Sequence, residues 1–220
     1  MSLNILIFLG SNRESTPPYP SRLGARVAKA LVSHVNERDE MTATLVDPLD
    51  YDLDKIFKPH FCYAQGKEPS DLNDLAQAIE NADGYIMLSP EYNHSMSPAL
   101  AHLLNHFGSS SFSYKPSLIA TYSAGQWGGA RAAVNMRSYL SELGCLPVSA
   151  MIHIPKAQEV FNDDGEYVND VDANSWDSYF ARGTTQLSWW ADATKIQRNN
   201  DKAIEIPSAF NKAPSQRNSP

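Results

Sequence analysis

Three short stretches of this 220-residue chain carry residue types that grip small molecules. The first is Gly10-Ser11-Asn12-Arg13-Glu14-Ser15, running on through Thr16-Pro17-Pro18-Tyr19-Pro20 to Ser21-Arg22. Its hydroxyls, on Ser11, Ser15, Thr16 and Ser21, can donate to phosphate oxygens, and Arg13 or Arg22 can add a charge-assisted fork. A helix starting just after it would contribute free N–H groups and partial positive charge. Neither GxGxxG nor GxxxxGK is present, so a phosphate monoester suits this cup better than a pyrophosphate. The plain alternative is a surface turn ending in an N-cap. The second stretch is LSPEYNHSMSP, residues 88–98. It offers Asn93, Ser95 and backbone N–H groups to ligand heteroatoms, Tyr92 to a flat ring, Glu91 to orient its neighbours, and a stiffening Pro90. A capped turn would explain the same composition. The third is YSAGQWGGAR, residues 122–131. Gly125, Gly128 and Gly129 permit close backbone approach to a ligand. Trp127 adds a planar surface, although packing or an interface is the commoner fate of tryptophan.

Other chemistries have weaker footing. Thr121-Tyr122-Ser123-Ala124-Gly125 approximates the GxSxG elbow of α/β-hydrolases, with threonine in place of the first glycine. Only His153 follows Ser123 as a candidate base, and a triad is recognised by geometry rather than spacing. His102 and His106 lie one helical turn apart, but no nearby carboxylate or cysteine completes a metal set. His94 reads as a solvent-facing loop residue. Trp176, Trp189 and Trp190 read as packing residues, Asp163-Asp164 as a solvated turn, and Arg131 as helix surface.

The elements that position these loops alternate. Residues 3–9 are a continuous apolar run, the mark of a strand buried on both faces. Further strands are expected at 42–46, 84–89, 116–123 and 147–154. Helical spacing occupies 22–36, a stretch carrying Leu72, Leu75, Ala76 and Ile79 capped by Ser70 or Asp71, and a stretch opened by Ser97 as N-cap and Pro98. It also occupies the residues around Ala132–Leu143, and 175–196. Residues 48–69 are irregular, 160–168 read as an acidic surface excursion, and 199–220 as a polar tail. Alternation of this kind implies an α/β domain over 1–198, with a parallel sheet covered on both faces. Ligands then bind at the carboxyl ends of the strands, where all three loops fall.

Composition narrows the setting. The chain is 42% hydrophobic and 20% charged, as expected for a soluble globular protein. A net charge of −7 argues against a nucleic-acid backbone as partner. The two cysteines, Cys62 and Cys145, are far apart and form no CxxC, which fits free thiols in a reducing compartment. No run suits a signal peptide or a membrane span, so a cytoplasmic protein is expected.

Taken together, GSNRES…SR, SPEYNHSMSPAL and YSAGQWGGARA resemble the NADPH-dependent FMN reductase family over roughly residues 3–155, with Pro-Glu-Tyr-Asn the most specific part. The resemblance implies a flavodoxin-like three-layer sandwich with strand order 2-1-3-4-5. It implies that Ser11, Arg13, Ser21 and Arg22 hold the FMN phosphate, and that Pro90, Glu91, Tyr92 and Asn93 line the isoalloxazine ring. Ser123, Ala124, Gly125, Gly128 and Gly129 would contact its other edge. It further implies NADPH or NADH as co-substrate and ping-pong transfer to a quinone, flavin, azo compound or similar acceptor. No catalytic side chain is required, and a homodimer or homotetramer is expected. An electron carrier without nicotinamide turnover is the main alternative, and a serine hydrolase using Ser123 a further one. The chain departs from the family pattern in its lengthened first loop, in residues 48–69 and in its tail.

Overall fold

Each apolar run becomes a strand of one parallel sheet. The computed structural model describes residues 2–13, 21–53 and 57–200. The strands are β1 (Leu3–Leu9), β2 (Met41–Val46), β3 (Gly84–Pro90), β4 (Pro116–Tyr122) and β5 (Leu146–Ile154), in the order β2-β1-β3-β4-β5. All neighbouring pairs are parallel; Ile7 of β1 stands beside Leu45 of β2 and Ile86 of β3. The helices are α1 (Leu23–Asn36), α2 (Ser70–Asn81), α3 (Pro98–Asn105), the single turn α4 (Ser109–Phe112), α5 (Ala130–Glu142), the single turn α6 (Ala157–Val160) and α7 (Ala173–Arg198).

The pleat divides the central strands between two cores. Ile5, Ile7 and Leu9 of β1 join Ile86, Leu88, Leu118 and Ala120 beneath α1 and α7. The intervening Leu6 and Phe8 join Tyr85, Met87 and Ile119 beneath α2, α3 and α5. Alternate residues point to opposite faces, so a strand with helices on both sides must be apolar throughout. This is the three-layer arrangement expected from the alternation, and the strand order is the flavodoxin-like one.

Several local expectations need correction. Helix α2 has Pro69 at its N-cap without a side-chain cap; the Asp71 carboxylate instead accepts from the Asp52 backbone N–H at 2.9 Å. Residues 48–69 contain two short 3-10 turns, Pro48–Asp50 and His60–Cys62. The 160–168 excursion lies against α1, with Val160 and Phe161 buried. Its Asp163-Asp164 pair is tied rather than simply solvated. Asp163 pairs with Arg26, and Lys29 donates to the Asp163 carbonyl at 2.9 Å and approaches Asp164 at 3.5 Å. Trp176 packs against Phe161 and Phe180, but Trp189 and Trp190 are exposed. Ser97 and Pro98 begin α3 as expected, the Ser97 hydroxyl accepting from Leu100 N–H at 3.1 Å. Ser15, Thr16, Tyr19 and the tail beyond Asn200 lie outside the described residues.

Candidate functional site

The three chemistry-bearing loops leave the carboxyl ends of β1, β3 and β4, three adjacent strands. The sheet therefore delivers them to one edge.

The loop after β3 is built as a tight hairpin turn. Tyr92 and Ser95 exchange both backbone bonds, each 2.9 Å long. Asn93 (φ 50) and His94 (φ 65) fill the two central positions in the left-handed region. Two consecutive positive φ values mark a type I′ turn, for which asparagine is a favoured residue. The turn leaves Tyr92 and the His94 ring exposed. Glu91 Oε1 meets Arg131 Nη2 at 2.7 Å, and the Asn135 amide donates to the His94 carbonyl. Arg131 and Asn135 lie one turn apart on α5, the helix that follows the third loop, so α5 fixes the second loop relative to the third. Glu91 Oε2 is buried with no hydrogen-bond partner among the described residues.

The loop after β4 is held by its own serine. The Ser123 hydroxyl donates to the Gly125 carbonyl at 2.7 Å and accepts from Gly128 N–H at 2.9 Å. Gln158 donates to the Ala124 carbonyl at 3.0 Å. His153, the only partner available to a hydrolytic reading, instead contacts the Thr121 hydroxyl at 2.8 Å through Nδ1. Burial lowers its pKa below the usual imidazole value. The Ser123 hydroxyl is thus engaged within its own loop, and among the described residues no histidine bonds to it, so the geometry gives the nucleophile elbow no support.

The first loop brings arginines together. Arg13, Ser21, Arg22, Leu23 and Arg26 line a cavity of about 250 Å³ with Ala124 and Gln158, joining the first loop to the third. Gly10–Arg13 also floor a cleft of about 580 Å³ walled by Pro48–Leu49, Tyr51–Leu53, Tyr92 and the start of α3, joining the first loop to the second. Arg13 borders both spaces, and among the described residues it enters no ion pair. The other arginines are engaged. Arg22 forks onto Asp47 and donates to the Ser11 carbonyl at 2.7 Å, and Arg26 pairs with Asp163. The Ser21 hydroxyl also donates to Asp163, at 2.7 Å. Asp47, Asp163 and Arg26 are the members of this site that sequence reading missed. Helix α1, which opens onto the cavity, carries no acidic residue in its first turn and no side-chain cap. Burial pushes the Tyr122 hydroxyl pKa up, partly offset by a hydrogen bond from Ser11.

The structure therefore brings Arg13, Ser21 and Arg22 to one cavity bordered by Ala124, leaves Ser11 in the neighbouring cleft that Arg13 also lines, and sets the Pro90–Asn93 turn beside α5. Gly128 and Gly129 are buried beneath the third loop, whereas Gly125 is exposed at its crest. Among the described residues no group of three or more histidine, cysteine or acidic side chains is arranged to hold a metal ion. No described helix is long and apolar enough to cross a membrane.

The chain resembles known proteins in sequence and in fold. The chain is 31% identical over 117 residues to the NADH:(hydroxy)cinnamate reductase subunit CrdA of Vibrio ruber, covering 51% of this chain and 58% of that protein. It is 32% identical over 112 residues to the NAD(P)H-dependent FMN reductase PA1204 of Pseudomonas aeruginosa, covering 49% and 60%. The matches thus span about six-tenths of the length of these curated relatives. Among solved structures, the flavoenzyme NAD(P)H:(acceptor) oxidoreductase FerB of Paracoccus denitrificans superposes with a TM-score of 0.66. It is 18% identical and covers 87% of this chain and 98% of that one, a likeness of fold alone. Residues 3–159 match the family described as NADPH-dependent FMN reductase, and the chain belongs to that family.

Proposed function

We propose that this chain is an FMN-dependent oxidoreductase that takes NADPH or NADH as co-substrate and delivers electrons to a quinone, flavin, azo compound or similar acceptor. The observation that carries the reading is the convergence of three loops on Arg13, an arginine with no ion pair among the described residues. The residues present fit the cofactor. An uncapped helix N-terminus, Arg13 with no ion pair among the described residues, and the nearby Ser11 and Ser21 hydroxyls suit a terminal phosphate. The exposed Tyr92 and the open crest at Gly125 suit the two edges of a flat ring.

In this reading Ser11, Arg13, Ser21 and Arg22 form the phosphate end. Pro90, Glu91, Tyr92 and Asn93 line one edge of the ring, and Ser123, Ala124, Gly125, Gly128 and Gly129 the other. FMN, when bound, would supply the redox chemistry between nicotinamide and acceptor. The protein's own residues bind and orient: α5 sets the spacing of the two ring-facing loops, and no side chain is assigned as acid or base. In this proposal residues 1–198 are the flavodoxin-like FMN-binding domain and 199–220 a polar tail. A cytoplasmic homodimer or homotetramer, without nucleic acid or membrane insertion, completes the proposal.

The test is an absorption spectrum of the purified protein after addition of FMN, followed by anaerobic NADPH. A bound-flavin spectrum that bleaches, with steady turnover once a quinone is supplied, is expected; turnover separates an enzyme from an electron carrier. Arg13→Ala should weaken FMN binding by about 1.5–3 kcal/mol, the worth of a hydrogen bond to a charged group. A chain that binds no flavin would end the proposal.

A further inference from the structure

Arg22 borders the phosphate cup, but its guanidinium is already committed within the protein. It is the N-cap residue of α1. Its side chain is only 10% exposed, and its guanidinium lies in a fork on Asp47, whose side chain is 12% exposed. Nη1 donates to Asp47 Oδ1 at 3.1 Å and to the Ser11 carbonyl at 2.7 Å, and Nη2 donates to Asp47 Oδ2. Three of the five guanidinium N–H groups are therefore committed, and the adjacent carboxylate cancels the charge. Asp47, just past the end of β2, also accepts from Leu49 N–H at 3.0 Å and so caps the Pro48–Asp50 turn. Pro48 and Leu49 form a wall of the larger cleft. One buried carboxylate thus ties together the arginine, the backbone of the first loop and the neighbouring wall.

We infer that Asp47 is a positioning residue for anion binding: it holds Arg22 as a strut that sets the Ser11 carbonyl and the start of α1, while Arg13, with no ion pair among the described residues, meets the phosphate. This inference rests on the FMN reading above and divides the labour between two arginines that sequence alone treats as equivalent. Two effects compete if the Asp47 charge is removed. Freeing a cation would strengthen phosphate binding. Releasing a buried guanidinium from its bidentate partner lets a long side chain leave its place and costs the Ser11 carbonyl its donor. With both groups buried and bonded at three points, loss of position outweighs gain of charge.

The sign of Asp47→Asn decides the matter. This variant keeps the Oδ1 acceptor for Leu49 and Arg22 but loses the charge. FMN and riboflavin, which lacks the phosphate, are titrated separately into wild type and variant by flavin fluorescence. The strut predicts FMN binding weakened about tenfold, the scale of one charge-assisted bond, with riboflavin changed less than about twofold. Unchanged or tighter FMN binding by the variant would make Arg22 a direct ligand and overturn the inference. An equal loss for both flavins would make Asp47 a general scaffold residue and overturn it as well. If Asp47→Asn fails to fold, Asp47→Ser, which keeps an acceptor for Leu49, gives the same readings. Wild type that binds neither flavin removes the functional reading, and this inference falls with it; wild type that binds FMN beside an unaffected variant removes the inference alone.

Discussion

The glycines of the third loop are glycine for different reasons. Gly128 (φ 58) and Gly129 (φ 76) adopt a backbone conformation that other residues resist. A Cβ at Gly128 would lie 3.0 Å from Pro155 N, and one at Gly129 would lie 2.8 Å from the Thr121 Cβ. The protein's own packing requires both. At Gly125 a Cβ would meet nothing within 4 Å. Its lack of a side chain therefore has no internal explanation, and close approach of a ligand supplies one. Gly129→Ala should lose at least about 1–2 kcal/mol from left-handed strain alone. Gly125→Val should change stability by less than about 0.5 kcal/mol, as an exposed substitution does, yet weaken FMN binding. Urea denaturation and flavin titration of the two variants separate these effects; undiminished affinity in Gly125→Val would remove that residue from the ring edge. Spacing announced all three glycines, but only the φ values and the neighbouring atoms sort them.

At the scale of elements, β5 shows how an open sheet edge is closed without another strand. An unpaired edge invites pairing with a second chain. Here Arg137 donates to the Val148 carbonyl at 2.9 Å and Arg182 to the Met151 carbonyl at 3.1 Å. Gln186 accepts from Ala150 N–H at 2.6 Å and the Tyr179 hydroxyl from His153 N–H at 2.8 Å. Tyr179, Arg182 and Gln186 share one face of α7, spaced three and four residues apart. Gln186→Ala should speed amide exchange at Ala150 about five- to tenfold, the worth of one net hydrogen bond, while leaving His153 protected. An unchanged Ala150 would show that the side chain does not guard the edge. Such pairings also explain what the sequence could and could not reveal. Strands and most helices were legible because a sheet buried on both faces needs continuous apolar runs, and Ser97-Pro98 is a local signal. The α2 cap was not, because Asp71 is recruited by Asp52, a partner outside its own helix. Ser21 with Asp163 and Arg22 with Asp47 are 142 and 25 residues apart, beyond any spacing rule. Trp189 and Trp190 misled because a long helix is covered only on the side that meets the sheet.

For the whole molecule, the buried titratable groups set a pH window for stability. His34 and His153 have pKa values lowered chiefly by burial. As pH falls through 6.5 the unfolded chain takes up protons that the native rings refuse, so stability is lost on the acid side. Lys115 is buried, donating to the Ile79 and Glu80 carbonyls at 2.8 and 2.7 Å, and burial lowers its pKa from 10.5 to about 8. Between those values the native state has released a proton that the unfolded chain still holds, so Lys115 makes stability rise with pH. Cys145 acts in the opposite sense: burial pushes its thiol from 9.0 up to about 12. Above pH 9 the unfolded thiol ionises first and its contribution to stability declines. Tyr139, raised by burial to about 12, adds to the decline above pH 10, and buried Tyr85 and Tyr122 shift in the same direction. Urea denaturation from pH 5.5 to 10.5 should therefore show a rise up to about pH 6.5, a second rise between about pH 8 and 9, a plateau to about pH 10 where Lys115 and Cys145 offset each other, and a fall beyond it. Lys115→Met should lower stability overall, through loss of its two hydrogen bonds, and should abolish the rise between pH 8 and 9. Cys145→Ala should move the maximum to higher pH. If Lys115→Met keeps the rise, the lysine is charged in the native state throughout this range, and the carbonyls at the end of α2 offset its burial completely.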